Sequence, residues 1–211
     1  MKSEAEHVRL NEAKWDNWAE SLDGKGWRYE YLRKAEGSLL SMPRWSENVH
    51  FLDIGCGTGW ALGEAAKRAG NEGLFYGVDL SEKMIEQAKK NFAGRENFHF
   101  IKANVESIPL EGDFFDVIIC TNSFHHYLHP DKALKEMWRL LRQGGSLYIL
   151  DPTADHWIIK VADKIIGLFE REHVKMYTTN EFRTMFEQTG FCYGDSHAPG
   201  IHQKIHSGRK V

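Results

Sequence analysis

The chain has 211 residues, 42% of them hydrophobic and 27% charged, which suits one domain with a full core and excludes wholesale disorder. Lys and Arg total 27 against 30 Asp and Glu, a formal charge of -3 with no long basic run, so there is no electrostatic case for nucleic acid. The first ten residues are polar, no apolar stretch approaches the roughly 20 residues of a membrane span, and Cys56, Cys120 and Cys192 fit neither a disulfide framework nor a CxxC site; the expectation is a cytoplasmic chain with no membrane association and no metal.

Residues 1–48 set Trp15, Trp18, Trp27, Tyr29 and Tyr31 among charges and read as helices packed on the main domain, broken at Asp23-Gly24 to Gly26. From residue 49 short β-rich runs alternate with helical patterns, the signature of parallel βαβ units. The run 49–54 is the first strand, and a helical pattern over 59–69 stops at Gly70. Residues 74–79 form the second strand; Ser81 caps a helix reaching Phe92, with Met84, Ile85 and Ala88 on one face.

Residues 98–102 are the third strand, and 115–120 read as a central strand buried on both faces. A helix over 131–141 ends at Gly144-Gly145, before a fifth strand at 146–151. Residues 155–169 form a broadly apolar helix whose Trp157, Val161, Ile165 and Phe169 stripe reads first as core, with a substrate pocket or dimer surface as the alternatives. A shorter helix, 179–189, ends at Gly190; strands at 191–196 and 201–206 then flank Ala198-Pro199-Gly200.

The strongest chemical signal is Leu52-Asp53-Ile54-Gly55-Cys56-Gly57-Thr58-Gly59, between a strand and a helix. Glycines there let the chain turn tightly and let a ligand approach bare backbone at the carboxyl edge of the sheet. A dinucleotide fingerprint needs glycine at position 60, where Trp60 stands, which weakens a nicotinamide-dependent oxidoreductase reading. Asp79, about 20 residues beyond the glycines at a strand end, is placed to accept the hydroxyls of a ribose, although a turn or cap residue is the plain alternative.

Five ordered motifs carry a family resemblance: the 52–59 loop; Gly77-Val78-Asp79-Leu80-Ser81 with Met84; Ala103-Asn104-Val105-Glu106 followed by Ile108-Pro109; Phe114-Phe115-Asp116-Val117-Ile118; and Leu140-Leu141-Arg142-Gln143-Gly144-Gly145. Through them the chain resembles the class I S-adenosylmethionine-dependent methyltransferases, in particular the group that includes the ubiquinone/menaquinone and biotin-pathway small-molecule methyltransferases. The resemblance, which covers roughly Val49 to Gly190, implies a doubly wound, Rossmann-like α/β fold with a mostly parallel seven-stranded sheet that ends in an antiparallel strand, in agreement with the C-terminal hairpin; the N-terminal helices would form a helical cap on it. One domain over 1–211 is expected, divided into the cap (1–48), a cofactor core (49–151) and substrate-side helices with the closing hairpin (152–211).

The resemblance also assigns roles. Gly55 and Gly57 would lie against the methionine part of the cofactor, with Cys56 and Gly59 in the same loop. Asp79 would bind the ribose, Leu80 and Met84 would line the adenine pocket, and Asn104 and Val105 would read the adenine edge, Asn104 standing where the family more often has Asp. Asn122 and Ser123 would sit nearest the methyl group, while Asp53 either orders the glycine turn or binds the cofactor indirectly.

His125 and His126 follow the fourth strand at the reacting edge and are candidate general bases, His126 preferred; capping of their own loop is the alternative. No base is obligatory, since the sulfonium already makes its methyl group electrophilic. Asp151 reads as a strand-end turn residue. The segment after the fourth strand lacks the double proline of amino-methyltransferases and the carboxylate of the magnesium-dependent catechol type, and three scattered cysteines do not suit arsenite chemistry. A small-molecule acceptor is expected, held between the 123–129 loop, the region after the fifth strand and the cap, with a homodimer allowed and a non-catalytic cofactor-binding protein as the further alternative.

Overall fold

The computed structural model describes residues 3–18, 27–70, 72–169, 173–200 and 202–211. Two helices, α1 (Glu4–Trp18) and α2 (Trp27–Leu40), precede the sheet. Then follow β1 (His50–Ile54), α3 (Trp60–Arg68), β2 (Leu74–Asp79), α4 (Glu82–Asn91), β3 (Phe98–Lys102) and β4 (Phe115–Thr121). A 3-10 turn at Phe124–His126 leads to α5 (Pro130–Leu140), β5 (Leu141–Pro152), α6 (Trp157–Phe169), α7 (Thr179–Thr189), β6 (Phe191–His197) and β7 (Gln203–Lys210).

The seven strands lie in the order β3-β2-β1-β4-β5-β7-β6. All neighbours are parallel except β7, which runs antiparallel to both β5 and β6. This is the doubly wound sheet with an antiparallel closing hairpin that the motifs implied. The order reverses beside β1, so the crevice between the carboxyl ends of β1 and β4 is the expected ligand position.

Strand periodicity explains the core. Phe51, Phe75, Val117 and Ile119 face α2, α3 and α4, whereas Leu52, Ile54, Ile118 and Ile149 face α5 and α7. The limits of α4 and α7 are set by the capping residues in their sequences. Ser81 Oγ accepts from Met84 N at the start of α4, and a reciprocal Thr178–Glu181 capping box opens α7, which Gly190 closes at φ 100°.

Two elements depart from expectation. The fifth strand begins at Leu141 rather than 146: Leu141 pairs with Phe115, then the register jumps so that Ser146 meets Val117. Gly144-Gly145 therefore lies in a bulge of the strand, not at the end of the helix. On α6 the stripe expected in the core faces outward, with Trp157 73%, Ile158 59%, and Val161 and Ile165 each 50% exposed. The Phe169 and Trp18 side chains, the 23–26 break and Ile201 lie outside the described residues.

Candidate functional site

The carboxyl end of β1 passes into a turn in which Gly55, Gly57 and Gly59 all hold positive φ. Gly55 N and Cys56 N both donate to Val78 O, at 2.8 and 3.1 Å, tying the turn to β2. A Cβ on Gly55 would stand 2.6 Å from Ser123 Oγ, so this position excludes any side chain. A Cβ on Gly57 would meet nothing within 4 Å, because that residue borders open space.

That space is a cavity over the ends of β1, β2 and β4. Of the sequence-derived candidates it brings together Asp53, Gly55, Cys56, Gly57, Asp79, Leu80, Met84, Asn104, Val105, Asn122, Ser123 and His126. It does not include Gly59 or His125. Gly59 instead caps α3, packed against Phe92, and so shapes the turn from behind.

Asp79 anchors one end of the cavity. Its Oδ2 accepts from Gly57 N and its Oδ1 from Ser81 N, both at 2.9 Å, which fixes the carboxylate and leaves acceptor capacity for hydroxyl groups. Burial raises its pKa against these donors. Asn104 Oδ1 accepts from Glu106 N at 3.0 Å, closing the turn that presents Val105. The amide oxygen keeps a second lone pair.

Asp53 lies deeper, 1% exposed, with Oδ1 unpartnered. Burial pushes its pKa well above the usual carboxylate range; Glu36 and Asp79 push the same way, against Arg33. Glu36 comes from α2, is itself raised by burial, and is held by Arg33 Nη1 at 3.0 Å and Thr121 Oγ1 at 3.4 Å. The Arg33 guanidinium stacks 4.5 Å from the Trp60 ring centre. Three carboxylates against one guanidinium give this part of the cavity a demand for positive charge.

Around β4, Asn122 takes the left-handed conformation at φ 52°, which Asn tolerates better than most side chains. Its Oδ1 accepts from Gln203 Nε2, and its buried Nδ2 has no partner. Ser123 Oγ and Tyr127 Oη share a 2.8 Å hydrogen bond beside Cys120. Burial drives the Cys120 thiol up to about 12, which keeps it protonated and unreactive.

The two histidines separate. His125 Nδ1 meets Asp151 Oδ1 at 3.0 Å, and its carbonyl accepts from Val174 N and Lys175 N, so it ties the 3-10 turn to β5 and to the chain after α6. Asp151 thus braces His125 and does not face the cavity. His126 lines the cavity, its ring edge-on to Trp15 at 5.6 Å.

The far wall is α1, through Glu4, His7, Val8, Asn11 and Trp15. His7 Nε2 donates to His126 O at 2.9 Å, and Asn11, 5% exposed, turns an unpartnered Oδ1 inward. No described residue after β5 reaches the cavity, and Tyr31 does not either; Leu32, Arg33 and Glu36 are the contributions of α2. Sequence reading missed His7, Asn11, Arg33 and Glu36. Their one signal is helical spacing, His7, Asn11 and Trp15 at i, i+4 and i+8, and Arg33 with Glu36 at i, i+3.

Residues 52–149 match the family described as Methyltransferase domain. These residues form a domain of the class I S-adenosylmethionine-dependent methyltransferase kind, whose cofactor is S-adenosylmethionine. Among curated proteins it is 32% identical over 124 residues to the uncharacterized methyltransferase YcgJ of Bacillus subtilis, covering 56% of this chain and 49% of that one. It is 30% identical over 144 residues to a malonyl-[acyl-carrier protein] O-methyltransferase of Marinomonas, covering 68% and 52%. The chain thus spans about half the length of these two curated relatives. Its fold matches a crystal structure of a SAM dependent methyltransferase from Aquifex aeolicus with TM-score 0.73 at 23% identity, over 93% of this chain and 98% of that one. Nothing in these likenesses supports the nicotinamide alternative.

Proposed function

We propose that the protein transfers the methyl group of S-adenosylmethionine to a small-molecule acceptor by in-line displacement, inside one domain working in the cytoplasm. The observation that carries this reading is the continuous cavity: a glycine turn and Asp79 at one end, buried carboxylates beneath, and the His7, Val8, Asn11 and Trp15 face of α1 opposite. The site's chemistry fits the cofactor. Asp79 has acceptor capacity for a ribose, Leu80, Met84 and Val105 offer apolar surface to a purine, and Asn104 retains an acceptor for its amino group. The orphaned Asp53 oxygen and Glu36 suit a cationic amino acid end, with Arg33 for its carboxylate.

When bound, the cofactor supplies an electrophilic methyl group on a sulfonium. The protein's part is positioning and exclusion of water. Ser123, Asn122 and His126 border the reacting edge, and α1 closes it on the other side. His126 is the residue placed to take a proton from an acceptor hydroxyl or amine; His125, engaged with Asp151, is assigned to holding the turn. The acceptor sits between His126, Leu128 and the His7, Asn11 and Trp15 face of α1.

Calorimetry with S-adenosylhomocysteine, S-adenosylmethionine and NAD tests the reading. Binding of the first two and not the third is expected, and Asp79→Ala should weaken that binding by about 2 kcal/mol in a folded protein. NAD binding without S-adenosylhomocysteine binding overturns it.

A further inference from the structure

The apolar face of α6 takes no part in the cavity, so its exposure needs its own explanation. Trp157, Ile158, Val161 and Ile165 are 50–73% exposed, and at helical spacing they share one stripe spanning an arc of about 100°. Ile159, Ala162 and Ile166 turn the other way and are partly buried. The helix is fixed from its polar side. Asp163 Oδ1 receives His173 Nε2 at 2.6 Å and Met176 N at 2.9 Å, which holds the apolar stripe outward.

Among the described residues, the charges beside the stripe that are free of an ion pair are lysines. Lys160 and Lys164 are exposed along one of its edges and make no ion pair among the described residues. The nearby acids are engaged: Asp163 as above, and Asp155 by Thr179 and Lys204. An exposed Trp, branched aliphatics and flanking lysines on one helix are the combination that lies in the interface of a membrane, with ammonium groups reaching anionic headgroups. Among the described residues, two copies pairing through this face would bring no unengaged acid to either lysine, which makes a second copy the poorer match.

We infer that α6 is a membrane-surface helix that docks the protein onto anionic lipid through the Trp157, Ile158, Val161 and Ile165 stripe and the Lys160 and Lys164 edge. This differs from spanning. The helix has 13 residues, about 20 Å in length, and no helix among the described residues is long and apolar enough to cross a bilayer. The lack of a spanning segment, from which no membrane association is expected, leaves surface binding open.

The test uses the full chain with vesicles of phosphatidylcholine alone and of phosphatidylcholine containing phosphatidylserine, read by co-sedimentation. Binding to the anionic vesicles at least about tenfold stronger than to the neutral ones is expected, falling steeply with salt. Val161→Ser with Ile165→Ser should remove binding, and Lys160→Glu with Lys164→Glu should weaken it by about tenfold or more. Both double variants alter only exposed side chains, and unchanged S-adenosylhomocysteine affinity shows that each is folded. No binding to anionic vesicles overturns the inference, as does equal binding to both vesicle types or equal binding by the variants. Sedimentation velocity giving a dimer that the Val161→Ser, Ile165→Ser variant abolishes, with no vesicle binding, would assign the face to a second copy instead.

Discussion

Asp53 shows how a functional residue can work against the fold that carries it. Its side chain is enclosed and one oxygen lacks a donor, so the ionised form is disfavoured until a cation arrives. A carboxyl whose folded pKa is raised adds stability at low pH and loses it as pH rises through that folded value, because the native state then holds a proton that the unfolded chain has already released. Asp53→Asn should therefore raise the melting temperature of the ligand-free protein at neutral pH by a few degrees, a change of about 1 kcal/mol. The gain should shrink towards acid pH. The same variant should bind S-adenosylmethionine roughly tenfold more weakly, through loss of a charged acceptor. Thermal unfolding across pH, with calorimetry on the same samples, checks both. A variant less stable than the parent at neutral pH would show that Asp53 is a structural acceptor only.

Among the elements, α1 has the clearest mechanical role. It runs along the carboxyl edge of the sheet, from the 3-10 turn after β4 to the end of β3, on polar contacts: His7 to His126 O, Asp16 to Ser81 Oγ, and Glu12 to Lys102 Nζ at 2.6 Å. The Glu12–Lys102 pair is partly exposed and stabilises by little, so the helix can detach without disturbing the core. Lids are built this way. Hydrogen exchange over residues 4–18 should slow when S-adenosylhomocysteine is added, and removal of residues 1–18 should leave a folded protein with weakened cofactor binding and impaired turnover. Identical exchange in both states would reduce α1 to packing. The elements around the glycine turn were legible because strand, turn and helix chemistry agree there: the run ending at Ile54, the αL glycines and the Ser81 cap each point to one conformation. By contrast, α1 was legible as a helix but its face was not, since His7, Asn11 and Trp15 meet groups far away in the chain. The outward stripe of α6 has the same period as a core-facing one, so periodicity alone cannot tell which side is covered. Nor does local sequence reveal the bulge in β5, because pairing of Leu141 with Phe115 is decided across the sheet.

For the molecule as a whole, the last strand closes the architecture from inside. β7 lies between β5 and β6, so residues 203–210 hydrogen-bond on both edges. Lys210, 3% exposed, sends Nζ to Asp113 Oδ1, Trp138 O and Leu141 O at 2.7–2.9 Å, joining β7 to α5 and the start of β5. Four positions earlier His206 is fully enclosed, stacked on Phe182 at 4.0 Å, with Nδ1 2.9 Å from Tyr193 Oη and Nε2 unpartnered. Burial lowers its pKa from 6.5 to about 4, aided by the Lys204 charge. Between those two values the unfolded chain takes up a proton that the native protein refuses, so stability rises with pH across this window and is lost as pH falls through it. The loss attributable to this one residue reaches about 3 kcal/mol by pH 4, a large share of a typical domain's stability. His206→Leu keeps an apolar side chain against Phe182 and removes the titration. Its urea-unfolding free energy should fall less steeply than the parent's from pH 6.5 to pH 4, while S-adenosylhomocysteine affinity at pH 7 stays unchanged because His206 does not line the cavity. Parallel curves for the two proteins would mean that His206 is reached by solvent in the native state and that acid sensitivity arises elsewhere in the molecule.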